Sequence, residues 1–322
     1  MSAPGPGGRV PRRVTVLVNP ASGGRTGEQI AAAAGRRVLS AGVEVDVVAG
    51  RNAKEARAKA RACVEAGDDV LAVAGGDGMV HLALQEVAGT RTALAVLPAG
   101  TGNDFARVLG IPRGDPLAAA EALLGGVRRT IDLGRVTGPG GAEGPGHWFG
   151  TVMTSGFDSL VLERANRMRW PRGQARYRLA ILAELGVLRP RPFVLELDGR
   201  REEVEATLIA VGNTTTYGGG MPICPHAVPD DGRLSVTVVP ALSRAKLVRY
   251  FPLMQSGGHV ERPDVRTFHT RGLTLETADM LATADGEPLA RLPVRVEAVP
   301  GAVDVIVPAS ATGAGRDVGA GR

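Results

Sequence analysis

Aromatic residues make up only 3% of this 322-residue chain, so the core has to be filled by Val, Leu, Ile and Ala. Cysteine is scarcer still. Cys63 and Cys224 lie far apart and form no Cys-x-x-Cys pair, which argues against a cysteine zinc cluster or a dithiol redox motif and fits a reducing compartment. No stretch reaches the roughly 18 apolar residues that span a bilayer, and the opening MSAPGPGGRVPRR has no apolar run of signal-peptide type. The expectation is a protein that is soluble or peripheral to a membrane. The chain contains no Gly-Lys pair, hence no GxxxxGK[ST] loop, and no GxGxxG, which argues against a P-loop nucleotidase and a standard dinucleotide dehydrogenase. His81, His147, His226, His259 and His269 are scattered, without HExxH or a close His/Cys cluster, and read as structural or surface residues.

The net charge of +5 favours anionic partners, namely nucleotides, nucleic acid or acidic lipid, without choosing among them. The length suits two domains. Gly, Pro and Ala dominate residues 1–12 and 309–322, and both ends are expected to be disordered. From 13 to 133, strands (14–19, 43–49, 70–74, 93–97) alternate with helical segments (28–40, 53–66, 79–87). This pattern predicts an α/β, Rossmann-like domain around a parallel sheet. From 134 to 308, short strands with turn signals predict a mainly antiparallel β-sandwich, whose last strands are free to pack back on the first domain. Those strands are expected at 148–154, 193–197, 205–211, 234–239, 273–276, 294–298 and 303–307, with helical insertions at 160–168 and 177–188.

Three strand ends of the first domain run into turn-rich segments: Asn19-Pro-Ala-Ser22-Gly-Gly24, Gly75-Gly76-Asp77-Gly78 and Pro98-Ala-Gly-Thr101-Gly102-Asn103-Asp104. Ligands of parallel α/β sheets bind beyond the carboxyl ends of the strands, and glycine loops there can offer backbone N–H groups to phosphate. Asp77 and Asp104 sit inside these loops. A carboxylate beside phosphate is unfavourable unless a cation intervenes, which points to Mg²⁺. Either residue alone reads more readily as a turn former or helix cap; the two together favour the site.

The ordered set of these three segments resembles the catalytic domain of diacylglycerol kinases, a module shared with sphingosine and ceramide kinases and related to NAD kinases. Ser155-Gly-Phe-Asp158, Tyr217-Gly-Gly-Gly-Met221, Pro225-His-Ala227, Asp230-Asp-Gly-Arg-Leu234 and Asp285-Gly286-Glu287 extend the resemblance over about residues 14 to 308. It implies an ATP-dependent lipid kinase, with diacylglycerol as the first candidate acceptor. The implied nucleotide-binding residues are Asn19, Ser22, Gly75, Gly76, Asp77, Gly78, Thr101, Gly102, Asn103 and Asp104. Glu287 is the implied general base, a task Asp77 could share, and Asp77 would help hold the Mg²⁺ on ATP. Asp231 resembles the ligand of a structural Mg²⁺ in some bacterial members. One departure stands out: Met79 replaces the Thr that usually follows Gly-Gly-Asp-Gly, so a hydroxyl contact is lost while the backbone N–H remains.

A lipid acceptor implies work at the cytoplasmic face of the plasma membrane. The segment Arg164–Arg178 sets six arginines around Trp170 and Tyr177, a composition suited to an anionic bilayer and equally to a solvated basic face with Trp170 packed inward. No nucleic-acid motif accompanies it, which argues against a nucleic-acid partner. Some bacterial relatives pair through the N-terminal domain, so a homodimer is a further expectation. Two other readings stay open: an NAD-kinase-like enzyme acting on a soluble nucleotide, and a non-catalytic nucleotide-binding regulator, which Met79 makes thinkable.

Overall fold

A computed structural model of the chain describes residues 11–18, 25–113, 115–138, 146–168, 170, 179–180, 183–184, 187 and 189–313. The chain divides into two compact units, one of residues 1–132 and 301–322, the other of Leu133–Pro300.

The first unit is built from β1 (Arg13–Val18), α1 (Arg25–Ser40), β2 (Glu44–Ala49), α2 (Ala53–Glu65), β3 (Val70–Gly75), α3 (Asp77–Val87), β4 (Ala93–Pro98), α4 (Asp104–Val108) and α5 (Pro116–Gly125). β1 pairs in parallel with β2 and β3, and β3 with β4. β3 and β4 read as unbroken apolar runs because both faces of the sheet are covered. Val14, Val16 and Val18 point with Ala72, Ala74, Ala93 and Ala95 to a core shared with Ile30, Ala34 and Val38 of α1 and Leu123 of α5. α2 and α3 pack on each other and on β1, β3 and β4. Asn52 caps α2 by accepting from the Glu55 N–H at 2.9 Å, the arrangement expected of an Asn just ahead of an amphipathic run. α4 and α5 were not foreseen from sequence; α4 is a single turn, and α5 is apolar nearly throughout, with little helical periodicity to betray it.

β5 (Val127–Thr137) leads into the second unit: β6 (His147–Phe149), β7 (Val152–Gly156), α6 (Phe157–Arg167), β8 (Arg191–Leu197), β9 (Arg200–Gly212), β10 (Leu234–Pro240), α7 (Arg244–Ser256), β11 (Arg266–Thr270), β12 (Gly272–Glu276), β13 (Leu281–Ala284), β14 (Glu287–Arg291) and β15 (Val294–Val307). Pairing here is antiparallel, in the order β14-β13-β7-β9-β8-β12-β15, with β10 on β9 and β11 on β10. β9 organises the unit. Its first half pairs with β8, and its second half lies between β7 and β10. Along that second half Ile209 and Val211 enter one core with Phe149, Phe193 and Val236. Leu208 and Ala210 enter another with Leu247, Tyr250 and Met254 of α7. The period of two thus serves two apolar layers, one on each face.

Several sequence expectations need correction. The single strand expected over 148–154 is broken into β6 and β7 by Gly150-Thr151, whose N–H groups are turned to the Asp285 carboxylate instead of a ladder. The two strands expected at 294–298 and 303–307 are one continuous β15. Its beginning pairs with β12, and Val305 pairs in parallel with Leu94 of β4 in the first unit. The tail expected to be disordered from 309 begins with a 3₁₀ turn, Ala309–Gly313. Residues 1–10, 314–322 and most of the helical insertion expected at 177–188 lie outside the described residues.

Candidate active site

Strands β3 and β4 end side by side, and the loops that follow them are interlocked. Asp77 opens α3, where a carboxylate in the first turn is favoured by the helix dipole. The other loop is closed on itself. Asn103, in the left-handed region at φ 54°, accepts from the Gly100 N–H at 3.1 Å and donates through Nδ2 to the Gly100 carbonyl at 2.7 Å. The two loops meet where glycine is required for space. A Cβ on Gly100 would stand 2.4 Å from the Gly76 Cα, and one on Gly102 would stand 2.6 Å from Asp77 Oδ2. The loops are also tied directly, the Phe105 N–H donating to Asp77 Oδ1 at 3.4 Å.

This arrangement turns two carboxylates toward one place. The point a Cβ on Gly102 would occupy is 2.6 Å from Asp77 Oδ2 and 3.7 Å from Asp104 Oδ2. Asp104 is buried and faces Arg107, whose Nε lies 3.9 Å from its Oδ1. Gly75, Gly76, Asp77, Gly78, Thr101, Gly102, Asn103 and Asp104 are therefore gathered at the ends of β3 and β4, with Gly78 and Thr101 exposed. Asn19 and Ser22 lie outside the described residues. Met79 stands in the first turn of α3. Its side chain is buried within α3, and its N–H donates to the Gly76 carbonyl at 2.9 Å.

In the second unit, Asp285-Gly286 forms the two-residue turn between β13 and β14, both residues at positive φ (53° and 82°) as a type I′ hairpin demands. The Asp285 carboxylate is buried and accepts from the N–H groups of Gly150 (3.1 Å) and Thr151 (2.9 Å) and from the Thr151 hydroxyl (2.5 Å). Glu287 follows directly and is exposed. The turn and the candidate base are thus parts of one device: Asp285 anchors the hairpin that presents Glu287. Asp231 is exposed on a turn, its Oδ1 accepting from the Arg233 N–H at 2.9 Å. Among the described residues no three His, Cys, Asp or Glu side chains form a metal cluster, so a cation at Asp231 would need main-chain oxygens or water to complete its shell.

One pair had no role assigned from sequence. At Gly156, φ is 115°, and a Cβ there would stand 2.5 Å from the Thr207 carbonyl; glycine lets the chain swing from β7 into α6. The residues after it, Phe157 and Asp158, line a cavity of about 220 Å³ with Val161, Leu208, Tyr217 and Phe251 among its walls. The Tyr217 hydroxyl donates to Asp158. Burial pushes the Asp158 carboxyl up to about 6, against the Tyr217 hydrogen bond, which acts to lower it. Both residues stand in segments that carried the family resemblance, and that was the available signal.

Of the basic segment Arg164–Arg178, Arg164 pairs with Glu184 and Arg167 with Glu163. Trp170 is 80% exposed, so the inward-packed alternative does not hold for it. Arg169, Arg172, Arg176, Tyr177 and Arg178 lie outside the described residues.

Glycine loops thus interlock at the ends of parallel strands of an α/β unit, beside Asp77 and Asp104. Residues 13–136 match the diacylglycerol kinase catalytic domain, and residues 151–307 match the YegS C-terminal NAD kinase beta sandwich-like domain. A diacylglycerol kinase of Mycobacterium tuberculosis (strain ATCC 25618 / H37Rv) is 46% identical over 297 residues, 92% of this chain and 95% of that protein. One from Bacillus subtilis (strain 168) is 29% identical over 288 residues, 88% and 92% of the two chains. The fold is also that of the crystal structure of a diacylglycerol kinase from Bacillus anthracis str. Sterne. Its TM-score is 0.72 at 23% identity, covering 93% of this chain and 98% of that one. The chain belongs to the diacylglycerol kinase family of lipid kinases. Among the described residues no helix is long and apolar enough to cross a membrane.

Proposed function

We propose that the protein transfers the γ-phosphate of ATP to the hydroxyl of a membrane lipid, diacylglycerol first among the candidates, giving phosphatidic acid. The observation that carries this reading is the close fit of the Gly76 and Gly100 loops around Asp77 and Asp104. Side chains at Gly100 and Gly102 would collide with Gly76 and Asp77, so backbone forms much of the surface at these strand ends, which suits phosphate approaching backbone N–H groups.

The residues present fit a phosphate-bound divalent cation, because two carboxylates converge on one point beside that surface. Asp77, with phosphate oxygens, would hold Mg²⁺, which when bound supplies charge neutralisation for phosphoryl transfer. Gly75, Gly76, Gly78, Thr101, Gly102 and Asn103 shape the nucleotide surface, and Asn19 and Ser22 are proposed to extend it. Asp231 is proposed as the anchor of a structural cation. Glu287 accepts the proton of the lipid hydroxyl. Its exposure and its place two residues after the Asp285 anchor suit a group that has to meet an incoming substrate.

The cavity beside Asp158 supports a lipid acceptor over a soluble nucleotide. Its walls are chiefly apolar, as an acyl chain requires, with the Asp158–Tyr217 pair as a polar mark. This reading puts the enzyme at the cytoplasmic face of a membrane, where ATP and lipid meet. The experiment is transfer from γ-labelled ATP with Mg²⁺ to a panel of lipids in mixed micelles, with NAD in a parallel tube. Label on diacylglycerol is expected; label on NAD alone would move the activity to a soluble nucleotide.

A further inference from the structure

Helix α7 (Arg244–Ser256) carries Arg244, Lys246 and Arg249 and no acidic residue. It is anchored to the second unit by Leu247, Tyr250 and Met254, all buried, while Val248 is 58% and Phe251 42% exposed. These two exposed side chains also line the cavity that holds Asp158, on the same wall as Leu247 and Met254. Exposed apolar side chains of α7, on a helix that also carries Arg244 and Arg249, therefore form part of the cavity wall.

The charges around the helix decide what covers those side chains. Lys246 shares the field of Asp264, which also accepts from the Tyr250 hydroxyl. Arg244 and Arg249 are exposed. On α6, by contrast, Arg164 and Arg167 each already face a glutamate. A helix with cations and no acids along its length, and with large apolar side chains between the cations, has the composition of an element that lies in an anionic membrane interface.

We propose that α7 is the membrane-docking element of this protein. Arg244 and Arg249 lie against anionic headgroups, and Val248 and Phe251 enter the acyl layer, which sets this wall of the cavity at the lipid. The inference rests on the lipid-kinase reading for its purpose, but its test is separable from that reading.

The test is sedimentation of the full chain with vesicles of phosphatidylcholine and phosphatidylglycerol in equal parts, and of phosphatidylcholine alone. The wild type is expected to bind the anionic vesicles preferentially. The double reversal Arg244→Glu/Arg249→Glu, with an unchanged thermal melt, is expected to lose at least about tenfold in apparent affinity. Phe251→Ser is expected to weaken the binding that survives high salt. Wild-type binding by the double variant, or its loss only on Arg172→Glu/Arg176→Glu, would overturn the assignment to α7. A parallel assay uses short-chain diacylglycerol dispersed as monomer, which requires no bilayer. Arg244→Glu/Arg249→Glu should phosphorylate it as the wild type does. A wild type that binds vesicles yet leaves this substrate unlabelled would sink the kinase reading while sparing the docking surface.

Discussion

The hydroxyl of Tyr217 donates a hydrogen bond to the carboxylate of Asp158 in the wall of a mostly apolar cavity. Burial is the dominant influence and raises the Asp158 carboxyl from 3.8 to about 6, with Tyr217 opposing it. The folded state thus holds this proton more tightly than the unfolded chain does. The stabilising effect of protonation is fully present below about pH 4 and is lost as pH rises through about 6. Asp158→Asn should abolish this pH dependence and recover on the order of 3 kcal/mol at neutral pH relative to acid. Denaturant titrations of both forms at pH 4 and pH 7.5 check this; parallel pH profiles would contradict it. Tyr217→Phe removes the opposing hydrogen bond and should move the Asp158 transition to still higher pH.

Gly102 and Gly100 should respond differently to the same methyl group. At Gly102 the added Cβ meets the far end of the Asp77 side chain, which can swing aside. Gly102→Ala should therefore fold normally and lose at least about tenfold in ATP affinity, because the carboxylate is re-aimed. At Gly100 the Cβ meets the Gly76 backbone at 2.4 Å. Gly100→Ala should cost about 1–3 kcal/mol of stability by forcing the loops apart. Thermal melts with nucleotide titrations separate the two.

The hairpin that presents Glu287 makes a similar distinction. Asp285→Ala strands two backbone N–H groups and places Ala in the left-handed region, and should cost about 2–4 kcal/mol. Glu287→Gln, at an exposed position, should stay within about 0.5 kcal/mol of the wild type yet lose most turnover. Glu287→Gln with full turnover would remove it as the base.

The parallel sheet was legible in the sequence because β3 and β4 are continuous apolar runs that lead into glycine-containing turns, a pattern that local reading captures. The gathering of Asp77 and Asp104 was legible for the same reason, since both follow adjacent strand ends. The break at Gly150-Thr151 was not. It depends on the Asp285 carboxylate, 134 residues from Thr151 in sequence, taking hydrogen bonds that a continuous strand would have used. Met79, which the sequence marks as a lost hydroxyl contact, is a buried residue of α3. The Asp158–Tyr217 pair joins residues 59 apart, and no local pattern reports such a meeting.

Asp77, held between the interlocked glycine loops, is proposed to serve phosphoryl transfer to a lipid. The most direct test is transfer of label from γ-labelled ATP to diacylglycerol in mixed micelles by the wild type and by Asp77→Asn. Labelled phosphatidic acid from the wild type, and a loss of at least about a hundredfold in Asp77→Asn with an unchanged melting temperature, is the predicted result. Equal turnover by the two proteins would contradict the role given to Asp77, and no labelled lipid from a folded, ATP-binding wild type would contradict the activity itself.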